Sequence, residues 1–255
     1  MSTTLQQIQQ IILPQLEVVK SIYQSQLNSG VEMLNSINSY NFQAAGKLIR
    51  PTLLILAAGT LSDEKANLPA TLQLAAAMEM LHNSTLIHDD VVDNDDLRRG
   101  QSSIKHRWGN AVAVLTGDYY LAHVMNLIFD AGNKDDIQMV CKTVMEMSEG
   151  ELLQLSLRKE GCKVMPAETY TDIIRCKTAS LMSTCCAIGN PDLKEFGEHF
   201  GMAFQLRDDI NDNEAYPFTP QLLQQETQTA LNSLQAIPDS IYKTHLTQLT
   251  LLCGA

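Results

Sequence analysis

Six aspartates carry the chemistry that this chain's sequence allows. Asp89, Asp90 and Asp93 stand in "LIHDDVVDND" and Asp208, Asp209 and Asp212 in "QLRDDINDNE", so one Asp-Asp-x-x-Asp-Asn-acid phrase occurs twice, far apart in the chain. Residues four apart lie on one helix face. Asp89 and Asp93 therefore project together with Asp90 beside them, and the second set repeats the arrangement. Three like charges on one turn repel, and hard divalent cations resolve the repulsion: Mg²⁺ takes oxygen ligands and bridges carboxylates to substrate phosphates. A single acid-rich turn is as readily a solvated helix end. Two copies, each closing a strongly apolar helix, make that bland reading the weaker one. Two such clusters around a cavity would grip a diphosphate through several metals.

Basic residues stand where such a substrate needs them. "DLRRGQ" sets Arg98 and Arg99 just beyond the first cluster, where guanidinium forks suit diphosphate oxygens. "GKLIRP" offers Lys47 and Arg50 at the start of a helix, whose free amides also favour an anion. Each pair alone is more often a surface pair; in a chain with only 18 Lys and Arg, the placement carries weight.

The elements that must position these groups read as helices. Apolar residues make up 45% of the 255 residues and aromatics 5%, with 11 Met, a mix that favours helix over sheet. "GKLIRPTLLILAAG" puts Pro51 near the first turn of an apolar helix that ends at Gly59. Pro69 opens a helix that runs into the first aspartate cluster. "NDDLRRGQSSIKHRWGN" is polar and irregular. "AVAVLTGDYYLAHVMNLIF" is apolar nearly all round and is expected at the centre of the fold. A helix to about Arg158, the helix of "TYTDIIRCKTASLMSTCCAIG", the helix ending in the second cluster, and two amphipathic helices parted at Pro238 complete the chain. Nothing alternates with period two. The expectation is an all-α fold.

A net charge of −11 argues against nucleic-acid binding. The six cysteines (141, 162, 176, 185, 186 and 253) lack C-x-x-C spacing and suggest reduced thiols in a cytoplasmic setting. The N-terminus lacks a basic leader, and no segment is expected to span a membrane.

Taken in order, the motifs resemble those of the trans-prenyltransferases, the polyprenyl diphosphate synthases of the farnesyl, geranylgeranyl and octaprenyl type. "AAAMEMLHNSTLIHDDVVDNDDLRRG" resembles the family's first aspartate-rich motif and "FGMAFQLRDDIND" its second; "GKLIRP", "AVLTGD", "GELLQL" and "CKTASL" fall in the family's order. The resemblance spans roughly residues 40 to 214. It implies a single domain over 1–255, an isoprenoid synthase-type helical bundle with a central substrate cavity, and a homodimer. It further implies head-to-tail condensation of isopentenyl diphosphate with an allylic diphosphate. By that resemblance, Asp89, Asp90, Asp93 and Asp208 hold Mg²⁺ (or Mn²⁺) on the allylic diphosphate, with Asp209 and Asp212 assisting. Arg98, Lys177 and Gln205 also serve the allylic substrate, while Lys47, Arg50, His82 and Arg99 bind isopentenyl diphosphate. The Thr178 hydroxyl and Gln205 amide oxygen would stabilise the carbocation. His82 by itself would read as a packed helix histidine.

The family's pattern is not complete. No lysine occurs between Lys194 and Lys243, so the lysine-bearing segment that normally follows the second motif has no counterpart, and the bundle is shortened at its C-terminal end. The family's "RRG.PT" is "RRGQSS" here. Two other readings stay open: a non-catalytic regulatory subunit of a heteromeric synthase, and a class I terpene cyclase. Product length is read from Ser84 and Thr85, just before Asp89, where the family places the floor of the tail pocket. Both are small, so the tail is expected to descend toward Leu81 and Met78, facing Met125 and Phe129, and to give a medium-to-long product.

Overall fold

A computed structural model of the chain describes residues 2–43, 46–159, 165–214 and 216–254. In chain order, α1 (Ser2–Gln9) continues through a 3₁₀ turn into α2 (Leu13–Gln26), followed by α3 (Glu32–Gln43) and α4 (Ile49–Gly59). The one-turn α5 (Asp63–Asn67) precedes the long α6 (Pro69–Val92), then come α7 (Ile104–Trp108), α8 (Asn110–Ala131) and α9 (Lys134–Lys159). Next, α10 (Ala167–Ile174) passes through a π-helical turn at Arg175–Ala179 into α11 (Ser180–Gly189). The remaining helices are α12 (Lys194–Asn211), α13 (Thr219–Ser233) and α14 (Ile241–Gly254). The expected all-α fold is what forms.

The centre of the bundle is α4 together with α11: every residue from Pro51 to Gly59 and from Ser180 to Gly189 is buried. The expectation that α8 fills the centre is corrected. One face of α8, with Ala113, Gly117, Tyr120, Val124 and Ile128, is buried, while Leu115 is 68% and Phe129 76% exposed on the other. Apolar composition reports that both faces seek cover; it does not report that one chain supplies it. Phe129 is thereby removed from the proposed tail path, although Met78 and Leu81 are fully buried. α8 is long and apolar enough to cross a membrane by length and mean hydropathy alone, a test that a packed core helix also passes, and its buried face packs on α6.

That packing is close because of Gly117. A Cβ there would lie 2.2 Å from His88 Nε2, and the Ser84 hydroxyl donates to the Gly117 carbonyl at 2.8 Å. The stretch expected to be irregular, 94–110, instead holds a two-residue hairpin and α7. Leu97–Arg98 pairs with Gln101–Ser102 through Arg99 and Gly100, at φ 53° and 78°. Positive φ at both central residues is the turn whose twist matches a hairpin. The helix expected from "TYTDIIRC" onward is interrupted at Arg175–Ala179, a π turn of the kind common at functional sites. Cys141, Cys176, Cys185, Cys186 and Cys253 are thiols; Cys162 lies outside the described residues.

Candidate active site

The repeated aspartate phrase is a repeated helix ending. In the first copy Asp93 N–H donates to the Asp89 carbonyl at 2.8 Å and Asp95 N–H to the Asp90 carbonyl at 2.9 Å. In the second, Asp212 N–H donates to Asp208 at 2.9 Å and Glu214 N–H to Asp209 at 2.8 Å. Between them Asn94 and Asn213 take φ of 58° and 60°. This is the left-handed cap that closes a helix with a six-to-one hydrogen bond, tolerated by asparagine as by few other residues. The asparagine was visible in the doubled phrase, and its role is structural. Each cap places its carboxylates on the last turn, at the negative end of the helix dipole. Anionic groups are disfavoured there unless cations accompany them.

In the first cluster Asp90 is buried and accepts from Arg98 Nε at 2.7 Å, with Nη2 of the same guanidinium 2.5 Å away. Asp93 pairs with Arg158 of α9. Asp89 has no side-chain partner among the described residues. Burial pushes its carboxyl up to about 6, with Glu151 and Asp93 adding and Lys177 and Arg98 opposing. Lys177, on the π turn, is ion-paired with Glu151 and donates to Gln154 Oε1 at 2.6 Å. Gly150 permits this approach of α9, since a Cβ there would sit 2.6 Å from Cys176 Cβ. Glu151 and Arg158 are site residues that sequence reasoning missed; Glu151 lies in "GELLQL", a quoted motif to which no role was attached.

On α12 the second cluster is connected differently. Thr178 Oγ1 donates to Gln205 Oε1 at 2.8 Å, and Gln205 Nε2 donates to Asp209 Oδ1 at 2.8 Å. Asp209 Oδ2 accepts from the Tyr170 hydroxyl, a partner the sequence did not suggest. Asp208 and Asp212 have no side-chain partner among the described residues. The Asp208 carboxyl is raised by burial, with Lys47 opposing and Asp212 and Asp209 adding. The π turn thus joins the clusters: Lys177 reaches the Asp89 side and Thr178 the Asp209 side.

A basic cradle adjoins them. Leu48, at φ 52°, caps the start of α4, and the Arg99 guanidinium packs against Gly46, where a Cβ would come within 3.0 Å of both its terminal nitrogens. Glu79, one turn before His82, is buried beneath: burial raises its carboxyl, while Arg50 and Arg99 pull it down. Burial, then Arg50, Arg99 and Arg98, hold His82 well below the ordinary histidine range, so its imidazole is neutral at pH 7. Arg50 Nε and Glu79 Oε2 are buried without partners among the described residues. The orphaned guanidinium donor is a polar contact that a bound anion can satisfy. A cavity of about 500 Å³ opens here, lined by Lys47, Glu79, Asn83, Arg99, Phe204 and Leu252 among others.

These residues fit a hard divalent cation shared with a phosphate. The donors are carboxylate oxygens, burial first and neighbouring carboxylates second raise the carboxyls of Asp89, Asp90 and Asp208, and both clusters end helices. Among the described residues no three or more His, Cys, Asp or Glu close into a cage by themselves, and Mg²⁺-type sites commonly complete themselves with phosphate and water. Ser84 and Thr85 lie elsewhere than the described cavity. Ser84 is 2% exposed and fixed to α8; Thr85 back-bonds to the His82 carbonyl at 2.8 Å.

The profile of the polyprenyl synthetase family matches residues 31–219. The chain is 38% identical over 180 residues to heptaprenyl diphosphate synthase component 2 of Geobacillus stearothermophilus, covering 67% of this chain and 55% of that protein. It is 32% identical over 221 residues to octaprenyl diphosphate synthase of Escherichia coli, covering 83% of this chain and 67% of that protein. The chain therefore spans about half to two thirds of these curated relatives. The fold is also that of polyprenyl synthase from Caulobacter crescentus, solved with calcium and isoprenyl diphosphate, at a TM-score of 0.88, 21% identity and 98% and 97% coverage of the two chains. With a matching profile over most of its length and two capped aspartate turns in the matched region, the chain belongs to the polyprenyl synthetase family.

Proposed function

We propose that the chain condenses isopentenyl diphosphate with an allylic diphosphate, head to tail, to give a medium-to-long all-trans polyprenyl diphosphate. The observation that carries this reading is the pairing of two capped aspartate turns across the Lys177–Thr178 π turn, beside a basic cradle. In this reading Asp89, Asp90, Asp93, Asp208 and Asp212 hold Mg²⁺, which when bound offsets the charge of the departing diphosphate. Arg98 and Lys177 release their carboxylate partners, Asp90 and Glu151, to contact the allylic diphosphate. Lys47, Arg50 and Arg99 bind isopentenyl diphosphate, and neutral His82 donates one N–H to it. Thr178 and Gln205 turn their dipoles toward the allylic carbon as its bond ionises. Apolar walls exclude water from the cation until the isopentenyl double bond attacks it, and the new cation then loses a proton to the released diphosphate, which restores a double bond and completes the elongation.

The exposed apolar face of α8, with Leu115 and Phe129, supports a homodimer, and the thiols of Cys141, Cys176, Cys185, Cys186 and Cys253 suit a cytoplasmic setting. The Geobacillus relative is named as a component of a synthase. That favours one second reading, in which the chain works beside a different partner subunit. Incubation with isopentenyl diphosphate, an allylic primer and Mg²⁺ separates the possibilities. An elongated diphosphate, abolished by EDTA, is expected. No product from the isolated chain selects the partner-dependent subunit, and a hydrocarbon selects a terpene cyclase.

A further inference from the structure

Asp209 differs from the other aspartates of the second cluster in where its oxygens go. Oδ1 accepts from Gln205 Nε2 at 2.8 Å and Oδ2 from the Tyr170 hydroxyl, whereas Asp208 and Asp212 have no side-chain partners among the described residues. Asp209 and Tyr170 are both buried, at 9% and 6% exposure. The phenol is fixed from the other side by rings. Tyr170 packs edge-on against Tyr216 and Phe218 with centroids 5.1 and 5.5 Å away, and those two rings stack on each other at 5.4 Å. Both come from the short segment between α12 and α13, which is itself pinned where Tyr216 N–H donates to Thr219 Oγ1 at 2.9 Å.

A carboxamide has a donor end and an acceptor end. With Asp209 accepting from Nε2, Gln205 must present Oε1 to Thr178, whose hydroxyl donates to it at 2.8 Å. The single Thr178 hydroxyl proton is thereby spent, and its lone pairs remain available. Were Asp209 turned away, the amide would lose the acceptor that defines its orientation.

We propose that Tyr170 is a positioning residue. Clamped by Tyr216 and Phe218, it fixes Asp209 as the acceptor that orients the Gln205–Thr178 pair, so that Asp209 is spent on orientation and is not a metal ligand. The short segment after the second motif, which carries no lysine, has here the task of wedging Tyr170. The proposal rests on the prenyl-transfer reading, and its test has one arm that does not.

Mn²⁺ is titrated by electron paramagnetic resonance in the presence of inorganic diphosphate, on wild type, Asp208→Asn, Asp209→Asn and Tyr170→Phe. Asp208→Asn is expected to weaken Mn²⁺ binding by about 10-fold or more. Asp209→Asn and Tyr170→Phe should stay within about twofold of wild type, because neither removes a ligand. In steady-state assays both should lower kcat about 10- to 100-fold, with KM for each diphosphate within about twofold. Tyr170→Phe added to Gln205→Ala should cost nothing further, since the two act in one chain. Loss of Mn²⁺ affinity in Asp209→Asn equal to that in Asp208→Asn overturns the proposal. So does wild-type kcat in Tyr170→Phe, or an additive double variant. Should Tyr170→Phe melt early, Asp209→Asn, of the same size and shape, carries both arms. Should wild type fail to elongate, the functional reading falls, and the Mn²⁺ arm alone decides this one.

Discussion

Asp89→Asn should make the metal-free protein more stable while nearly abolishing turnover. Among the described residues no side-chain cation is paired with Asp89: Lys177 is occupied by Glu151 and Arg98 by Asp90. Burial, Glu151 and Asp93 push its carboxyl from an ordinary 3.8 to about 6, and it sits on the last turn of α6, where the helix dipole disfavours an anion. The folded protein thus holds this proton to a higher pH than the unfolded chain does. Its contribution is intact below about pH 4, is lost as pH rises through about 6, and stays lost at pH 7. The gap between about 6 and 3.8, at about 1.4 kcal/mol per pH unit, caps the penalty at about 3 kcal/mol. Partial solvent access reduces it to about 1–2 kcal/mol. For a chain of this size that corresponds to a rise in Tm of about 2–8 °C at pH 7. The assay is thermal melting in EDTA from pH 4.5 to 8, with the variant's advantage growing across the range. Mg²⁺ plus diphosphate should then stabilise wild type and leave the variant little changed. A variant no more stable than wild type at pH 7 refutes the reasoning, as does a gain that is the same at pH 4.5.

Three further outcomes are expected. Asn94→Val and Asn213→Val should each cost about 1–2 kcal/mol by forcing a β-branched residue into the left-handed cap, whereas Asn→Gly at the same sites should be close to neutral; urea melts distinguish them. His199 Nδ1 lies 2.6 Å from Glu226 Oε2, and this contact raises its pKa. The stability it contributes is present below its unfolded value of about 6.5 and is lost as pH rises through the raised folded value, so the advantage of wild type over His199→Gln in melts should shrink above neutrality. Thr85→Tyr should shorten the product while sparing the first condensation. Ser84→Phe, by contrast, has to displace α8 at Gly117 and should destabilise by about 1–3 kcal/mol, making product analysis of Thr85→Tyr the informative one.

Much of this molecule was legible one residue at a time. Leu/Ala/Met-rich runs punctuated by Pro51, Pro69 and Gly59 mark helices, because propensity and capping are local properties of the chain. The doubled aspartate phrase, with Lys47, Arg50 and Arg98 placed around it, pointed toward the proposed diphosphate chemistry for the same reason: four-residue spacing translates directly into one helix face. What only tertiary structure decided is who meets whom. Tyr170, Glu151 and Arg158 entered the site from helices distant in sequence, and no local period encodes that α10 crosses α12 at Asp209. Burial decided the rest. It left Asp89 raised and His82 neutral, set Ser84 against Gly117, and moved α8 from the expected centre to a half-open flank. Hydropathy measures how strongly a surface avoids water; packing alone determines which neighbour covers it.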